Sequence, residues 1–181
     1  MLRMIIEGVG FDHLKQTVVV LKDWEGQKLL PIWIGPSEAK AIALELEGAR
    51  PSRPLSHDLL LGVIHLAQGK VTRVVINDLQ DATFFATIDI DTPTGMKHID
   101  SRPSDAIAVA VRVKCPVFVD GSVESALIEM SEVVTGSESP ESEDENPFAP
   151  QVLGVAEVEE KPAESDDEIE RFKRLLGDLG D

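Results

Sequence analysis

The sequence predicts an α+β fold in which a mixed, mostly antiparallel sheet packs with helices. Two observations predict this class. Several segments have strand character, and some of them are separated by short polar turns that suit hairpins. Other segments carry apolar residues at the i, i+3, i+4 spacing of amphipathic helices. Strands and helices do not alternate regularly, which argues against a parallel, doubly wound sheet.

The amino-terminal part of the chain is predicted to consist of strands. Leu2, Met4 and Ile6 recur at every second position, which is the period of a half-buried strand. Residues 17–22 are β-branched and apolar, and residues 28–34 return to this character after a polar turn that contains a glycine. These two segments therefore predict a hairpin.

Two helices are predicted to follow. The first begins at Pro36, because the fixed φ of proline suits a first helical turn, and it ends at Gly48. Ser56 is the expected N-cap of the second helix, which ends at Gly69. The second helix has one predicted apolar face, which consists of Leu59, Val63 and Leu66.

More strands and a closing helix are predicted in the second half of the folded part. Residues 71–76 and 83–90 have strand character, and a short polar loop around Pro93 and Gly95 comes after them. Residues 116–119 predict a short strand, and residues 123–130 predict a closing helix.

An almost wholly apolar helix begins with a very polar stretch, DSRPSD at residues 100–105. Ser101 is the expected N-cap, and Pro103 lies in the first turn. Asp105 lies where a carboxylate meets free backbone N–H groups. Apolar residues follow on nearly all sides, so this segment is the predicted central buried helix. Core packing requires the apolar half of the segment but does not require so polar a beginning.

The charge distribution divides the chain into a folded unit and an acidic appendage. Residues 1–130 contain 13 basic against 17 acidic side chains, whereas residues 131–181 contain 4 against 16. The first part is long enough for one ordinary core. Residues 131–165 are acidic and rich in Ser and Pro, which predicts a disordered linker. Residues 166–180 predict a short amphipathic helix that would dock on its own core, on a neighbouring subunit or on another protein.

The sequence also indicates a cellular compartment. Cys115 is the single cysteine, which excludes an internal disulfide and fits a reducing environment. The first residues lack the long apolar run of a signal peptide, and no run approaches the roughly 20 residues of a membrane span. We therefore expect a cytoplasmic protein that has no membrane partner.

Three motifs stand in order within residues 1–125: LLPIWIGPSEAKAIALELEG, RPLSHDLLLGVI and DSRPSDAIAVAVRVKCPVFV, with ATFFATIDI between the last two. Together they resemble the bifunctional nuclease family, small proteins named for cleavage of both DNA and RNA. The terminal segment DDEIERFKRLLGDLG is similar to a short helix that closes bacterial members, but the usual Pro-Glu-Asp-Phe ending is absent. The resemblance implies nuclease activity and assigns no catalytic residues.

The motifs contain the residue types that phosphodiester hydrolysis requires. That reaction needs an activated water and neutralisation of charge at the phosphate, often with divalent ions held by carboxylates. His57 could shuttle a proton, and Arg102 and Arg53 could pair with phosphate oxygens. The acidic candidates for catalysis are Glu38, Asp58, Asp100 and Asp105.

Three of these acids are also candidate metal ligands. Mg²⁺ and Mn²⁺ prefer oxygen donors, so Asp58, Asp100 and Asp105 could hold either ion. A structural explanation stands beside each of these roles. Acids in the first turn of a helix stabilise its positive dipole end, and Arg102 could bridge to Asp105 or Asp58.

The charge opposes tight binding of nucleic acid, because neutralisation of phosphates supplies much of the affinity of such proteins. The folded part is slightly acidic and the tail strongly so, which predicts only weak or transient contact with DNA or RNA. The alternative is a non-catalytic module, a homo-oligomeric scaffold or regulator whose acidic tail binds protein partners.

Overall fold

The structure, a computed structural model, describes residues 1–130. The predicted linker at 131–165 and terminal helix at 166–180 lie outside the described residues. The strands are β1 Leu2–Phe11, β2 Thr17–Asp23, β3 Lys28–Trp33, β4 Lys70–Gln80, β5 Thr83–Thr92, β6 Gly95–Ser101, β7 Val117–Val119 and β8 Ile128–Glu129. The α-helices are α1 Pro36–Leu46, α2 Ser56–Leu66 and α3 Pro103–Val113.

The eight strands of this part of the chain form a mixed sheet in the order β6-β5-β4-β7-β1-β2-β3-β8. Neighbouring strands are antiparallel except for β4 and β7, which are parallel. The predicted α+β class with a mostly antiparallel sheet is confirmed. The short strand β7 joins the two antiparallel groups, because it pairs with β4 on one side and with β1 on the other.

The predicted β2–β3 hairpin forms, and a buried carboxylate closes its turn. Asp23 is only 3% exposed and accepts hydrogen bonds from the backbone N–H groups of Gln27 at 2.7 Å and Lys28 at 2.8 Å. Gly26 has a φ of 77°, which glycine adopts without steric cost. The turn thus satisfies the buried acid and fixes the register of the two strands.

The predicted polar loop around Pro93 and Gly95 is a tight turn at residues 93–94, and residues 95–101, for which no strand was predicted, form strand β6. This strand lies at the edge of the sheet and pairs with β5 alone. Six of its seven residues are exposed, including Met96 and Ile99. An edge strand that is solvated on most of its length has no need for apolar alternation, so the pattern that predicts buried strands is missing.

The predicted closing helix at residues 123–130 is also wrong. A 3₁₀ helix spans Gly121–Ala126, and β8 follows it. The Asp120 side chain accepts a hydrogen bond from the Ser122 backbone N–H at 3.2 Å, which begins the 3₁₀ turn early. Pairing of Glu129 with Lys28 on β3 then favours an extended chain over a further helical turn.

The core lies between one face of the sheet and the helices. Residues 106–110 of α3 are each no more than 1% exposed, as expected for a helix that is apolar nearly all round. Ala86, Ile88 and Ile90 alternate along β5 and belong to the same buried cluster. Within residues 1–130, no helix is long and apolar enough to span a membrane.

Candidate functional site

The first turns of all three α-helices meet at one place. Glu38 lies in the first turn of α1, His57 in that of α2 and Asp105 in that of α3. Pro36 and Pro103 begin α1 and α3, because a missing N–H and a fixed φ suit a first helical position. Helix N-termini carry unpaired N–H groups and a partial positive charge, so this arrangement favours anions.

The N-caps differ from those that the sequence predicts. Arg102, in an extended conformation, precedes α3, whereas the Ser101 hydroxyl donates a hydrogen bond to the Arg102 carbonyl. Leu55 precedes α2, and its backbone N–H donates to the Asp58 carboxylate at 2.7 Å. Ser56 is therefore the first helical residue rather than the cap. The side-chain contact at the beginning of α2 is therefore made by Asp58, which accepts from the N–H of the residue that precedes the helix, and not by a serine hydroxyl.

Four charged or titratable side chains form a connected chain, called here the Asp105 cluster: Glu38, His57, Arg102 and Asp105. One oxygen of Asp105 lies 3.1 Å from His57 Nε2, and the other accepts a hydrogen bond from Arg102 Nε at 2.7 Å. A terminal nitrogen of Arg102 lies 3.1 Å from Glu38 Oε1. The cluster thus connects all three helices through one carboxylate and one guanidinium.

The electrostatics of the cluster keep Asp105 ionised. Burial raises the pKa of the Asp105 carboxyl, but the hydrogen bonds and charges of Arg102 and His57 lower it more, so the pKa falls below its ordinary value. The same hydrogen bond raises the pKa of Arg102. The ionised Asp105 carboxylate can accept a hydrogen bond from His57 Nε2–H, and in that tautomer Nδ1 is left as an acceptor.

An open cleft of about 410 Å³ lies beside the cluster. Lys40 and Ser37 of α1 line it together with Ser56 at the start of α2. The four side chains of the cluster also line this cleft. Arg102 is 67% exposed, and among residues 1–130 its second terminal nitrogen has no hydrogen-bond partner, so it remains available to an anion in the cleft.

A buried arginine holds α2 in place. The Arg112 side chain on α3 is only 5% exposed, and its Nε donates to Asp58 of α2 at 2.8 Å. Its terminal nitrogens donate to the carbonyl of Ala108 at 2.8 Å and to that of Ala41 on α1 at 3.3 Å. One guanidinium therefore forms hydrogen bonds to groups on all three helices. Its partner on α2, Asp58, is next to His57 in sequence.

A glycine lets Glu38 fold back toward the start of its own helix. A Cβ atom added at Gly35 would overlap the Glu38 carboxylate. Glu38 in that position contacts Arg102, so the absence of a side chain at residue 35 contributes to the geometry of the cluster. The sequence predicts Gly35 only as part of the beginning of α1, together with Pro36.

The structure brings together four of the seven predicted site residues: Glu38, His57, Arg102 and Asp105. Asp58 is adjacent, but both of its oxygens are engaged, one by the Leu55 N–H and the other by Arg112. Arg53 lines a neighbouring cleft of about 580 Å³ that Asp58 and Arg112 also line.

Asp100 lies on the other face of the sheet from the cluster. It pairs with Thr87 on β5, one position from the pair of Ser101 with the buried Ala86. Successive residues of a strand point to opposite faces, and Ala86 belongs to the core beneath α3. Strand alternation therefore separates Asp100 from Asp105, although the two residues are only five positions apart in sequence.

The predicted metal ligands Asp58, Asp100 and Asp105 do not converge. Among residues 1–130, no group of three His, Cys, Asp or Glu side chains is placed to hold a metal ion. Arg102 occupies the space between the carboxylates of Glu38 and Asp105, where a cation would otherwise balance them. These donors do not fit a carboxylate-bound divalent ion.

Comparison with known proteins places this arrangement in a family. A family model for the bifunctional nuclease domain matches residues 19–131. The chain belongs to the bifunctional nuclease domain family. The resemblance seen in the three motifs is thereby confirmed, and the matched region of this bifunctional nuclease domain contains the whole Asp105 cluster.

Two proteins of Mycobacterium tuberculosis are similar to this bifunctional nuclease domain protein. They are "Uncharacterized protein MT1877" of strain CDC 1551 / Oshkosh and "Uncharacterized protein Rv1829" of strain ATCC 25618 / H37Rv. Each is 37% identical over 161 residues, which cover 89% of this chain and 84% of the relative. The similarity thus extends over most of each chain.

Replacing Arg112 by methionine is expected to destabilise this bifunctional nuclease domain by about 2–3 kcal/mol. The change keeps the buried aliphatic length but leaves Asp58 and two carbonyls without their charged donor. Urea unfolding measures the loss. Lys114→Met, an exposed change near the end of α3, is the control and should stay within about 0.5 kcal/mol of the parent. Equal effects of the two variants would contradict this role of Arg112.

The Asp105 carboxylate should make stability depend on pH. Its pKa in the folded protein lies below the ordinary 3.8, so its stabilising contribution is complete above that value and disappears as pH falls toward the lowered pKa. The difference in unfolding free energy between the parent and Asp105→Asn should therefore shrink as pH falls from about 6 to about 3. A difference that stays constant over this range would show that the ion pairs do not act on Asp105.

Proposed function

We propose that this chain hydrolyses phosphodiester bonds of DNA or RNA at the Asp105 cluster. The observation that supports this most strongly is the hydrogen-bonded series His57–Asp105–Arg102 at a cleft where three helix N-termini meet. A proton acceptor, an orienting carboxylate and an anion-binding cation stand within one hydrogen-bonded series. Family membership supports the same class of reaction.

Each side chain has a distinct role in the proposed reaction. Arg102 binds a phosphate oxygen through its free terminal nitrogen, assisted by Lys40 at the wall of the cleft. His57 Nδ1 takes a proton from water as the water oxygen bonds to phosphorus. The bond from phosphorus to the leaving sugar oxygen breaks, and solvent protonates that oxygen. Asp105 holds the imidazole in the tautomer that can accept the proton.

Contact with nucleic acid is expected to be transient. Residues 1–130 hold more acidic than basic side chains, so they lack a broad cationic surface. The cations that could meet phosphate are local: Lys40 and Arg102 at the cleft, and Arg50 and Arg53 at the neighbouring one. The acidic residues 131–181 would further weaken a stable complex.

Changing His57 to glutamine is expected to lower cleavage by about a hundredfold or more, since it removes the proposed base. Cleavage of single- and double-stranded DNA and RNA oligonucleotides measures the effect, in EDTA and with added Mg²⁺ or Mn²⁺. His65→Gln, an exposed histidine on the same helix, is the matched control and should cleave like the parent. Arg102→Gln should lose activity chiefly through weaker substrate binding. Unchanged cleavage by folded His57→Gln and Arg102→Gln proteins would refute the site.

Self-association is a second candidate function, and the surface of α2 favours it. Leu59, Val63 and Leu66 are 68%, 55% and 83% exposed, although they form the apolar face that the sequence predicts. An amphipathic helix normally turns such a face toward a core. We propose that the face packs against the same face of a second copy, since one symmetric contact would bury both stripes. The slight net charge of residues 1–130 offers little repulsion.

Leu66→Asn is expected to shift the full-length protein from oligomer to monomer. The residue is 83% exposed, so its replacement removes apolar contact area between copies but costs the fold little. Light scattering after size-exclusion chromatography measures the mass. Leu14→Asn, at a residue that is 65% exposed in the β1–β2 loop, should leave the mass unchanged. A monomeric parent protein would contradict the proposed association.

A further inference from the structure

A second cluster of charged and titratable side chains lies on the sheet, away from α3. Arg73 on β4, Asp89 on β5 and His98 on β6 occupy the same register of three neighbouring strands. They are called here the Asp89 cluster. Ile88 and Ile90 flank Asp89 in sequence and point into the core, so Asp89 points to the opposite face of the sheet.

The carboxylate at the centre of this cluster is buried by its two partners. The Asp89 side chain is only 4% exposed, whereas those of Arg73 and His98 are 44% and 61% exposed. One oxygen of Asp89 lies 2.6 Å from His98 Nδ1, and the other accepts a hydrogen bond from Arg73 Nε at 2.5 Å. Burial raises the pKa of Asp89, but these two hydrogen bonds lower it more, so the carboxylate is ionised.

The Asp89 cluster repeats the bonding pattern of the Asp105 cluster. In each, one carboxylate oxygen meets a histidine ring nitrogen and the other meets an arginine Nε. The two carboxylates come from different elements, since Asp105 lies on a helix and Asp89 on a strand. His98 and Asp89 lie nine residues apart, so only the pairing of β5 with β6 brings them together.

Arg73 and His98 together have more hydrogen-bonding nitrogens than the Asp89 carboxylate contacts. One cation suffices to balance Asp89, yet both an arginine and a histidine are held against it. Among residues 1–130, no protein group accepts a hydrogen bond from the two terminal nitrogens of Arg73, and His98 Nε2 likewise has no partner. With His98 protonated, the three side chains carry one net positive charge, and their free donors lie on the exposed part of the sheet.

We propose that Arg73 and His98 form a second anion-binding site, which takes the phosphate group of a phosphate ester. The planar fork of an arginine pairs well with phosphate oxygens, and an imidazolium N–H adds a second charged donor. Asp89 is a positioning residue, since it holds both donors and its own oxygens are already engaged. This inference concerns binding alone and does not depend on catalysis at the Asp105 cluster.

Binding is tested by nuclear magnetic resonance on the ¹⁵N-labelled full-length protein. The histidine ring nitrogens are followed at about pH 6, where a free imidazole is mostly protonated. Inorganic phosphate is added in one titration and a dinucleotide in another, and His98→Gln identifies the His98 signals. Saturable shifts of the His98 ring are expected. Saturation by both compounds indicates recognition of the phosphate group itself, and saturation by the dinucleotide alone indicates recognition of the ester.

Two variants that each remove one positive charge are compared for their affinity for phosphate. Arg73→Gln should weaken phosphate binding at His98 by about tenfold or more, because a charged hydrogen-bond donor is lost. Lys97→Gln removes a neighbouring cation from the same strand but from outside the cluster, and it should change affinity by less than about twofold. If Arg73→Gln does not fold, Arg73→Lys keeps the charge, removes the fork and should still weaken binding.

Three results would overturn the inference. The first is a parent protein whose His98 signals do not saturate with either compound. The second is equal weakening by Lys97→Gln and the Arg73 variant, which would indicate a diffuse effect of charge. The third is a shift confined to His57, which would leave the proposed nuclease site intact while removing the second one.

Discussion

Burial of α3 is the constraint on which the rest of the structure depends. Its residues from Ala106 to Ala110 are almost wholly inaccessible to water, so water cannot form hydrogen bonds with the polar groups along it. The charged groups at its two ends must therefore find partners on neighbouring elements. Asp105 contacts His57 on α2 and also Arg102, which directly precedes α3, and Arg112 contacts α1 and α2. The geometry of the candidate site follows from the hydrogen bonds that the charged groups at the ends of α3 form.

Polar contacts rather than deep burial position α2. None of its residues is fully buried, and only Leu61 and Ile64 pack partly against the core. The ion pair of Asp58 with Arg112 and the contact of His57 with Asp105 therefore carry much of its attachment. Stability and the placement of the proposed base are thus coupled. A helix held in this way can also keep an apolar face free for another subunit.

Charge is arranged locally rather than globally. Residues 1–130 are slightly acidic, yet in both clusters an arginine and a histidine are held beside one ionised carboxylate. At physiological salt, charges separated by more than about 8 Å are largely screened, so local donors matter more to a single phosphate than the net charge does. Such a surface suits brief contact with one phosphate group and not the coating of a long strand.

The sequence by itself determined the buried strands, the three helices and the family, because each depends on local periodicity, proline positions or contiguous motifs. Edge strand β6 was not predicted because most of its residues are exposed to solvent, so the strand lacks apolar alternation. Strand β8 was not predicted because its conformation depends on pairing with β3. Convergence of the site was decided by tertiary structure: His57 and Asp105 lie 48 residues apart, and Asp58 and Arg112 lie 54 apart. Asp100, by contrast, is close to Asp105 in sequence but is turned away by strand alternation. Local rules place the beginning of each helix to within a residue or two, whereas only packing decides which helix beginnings meet.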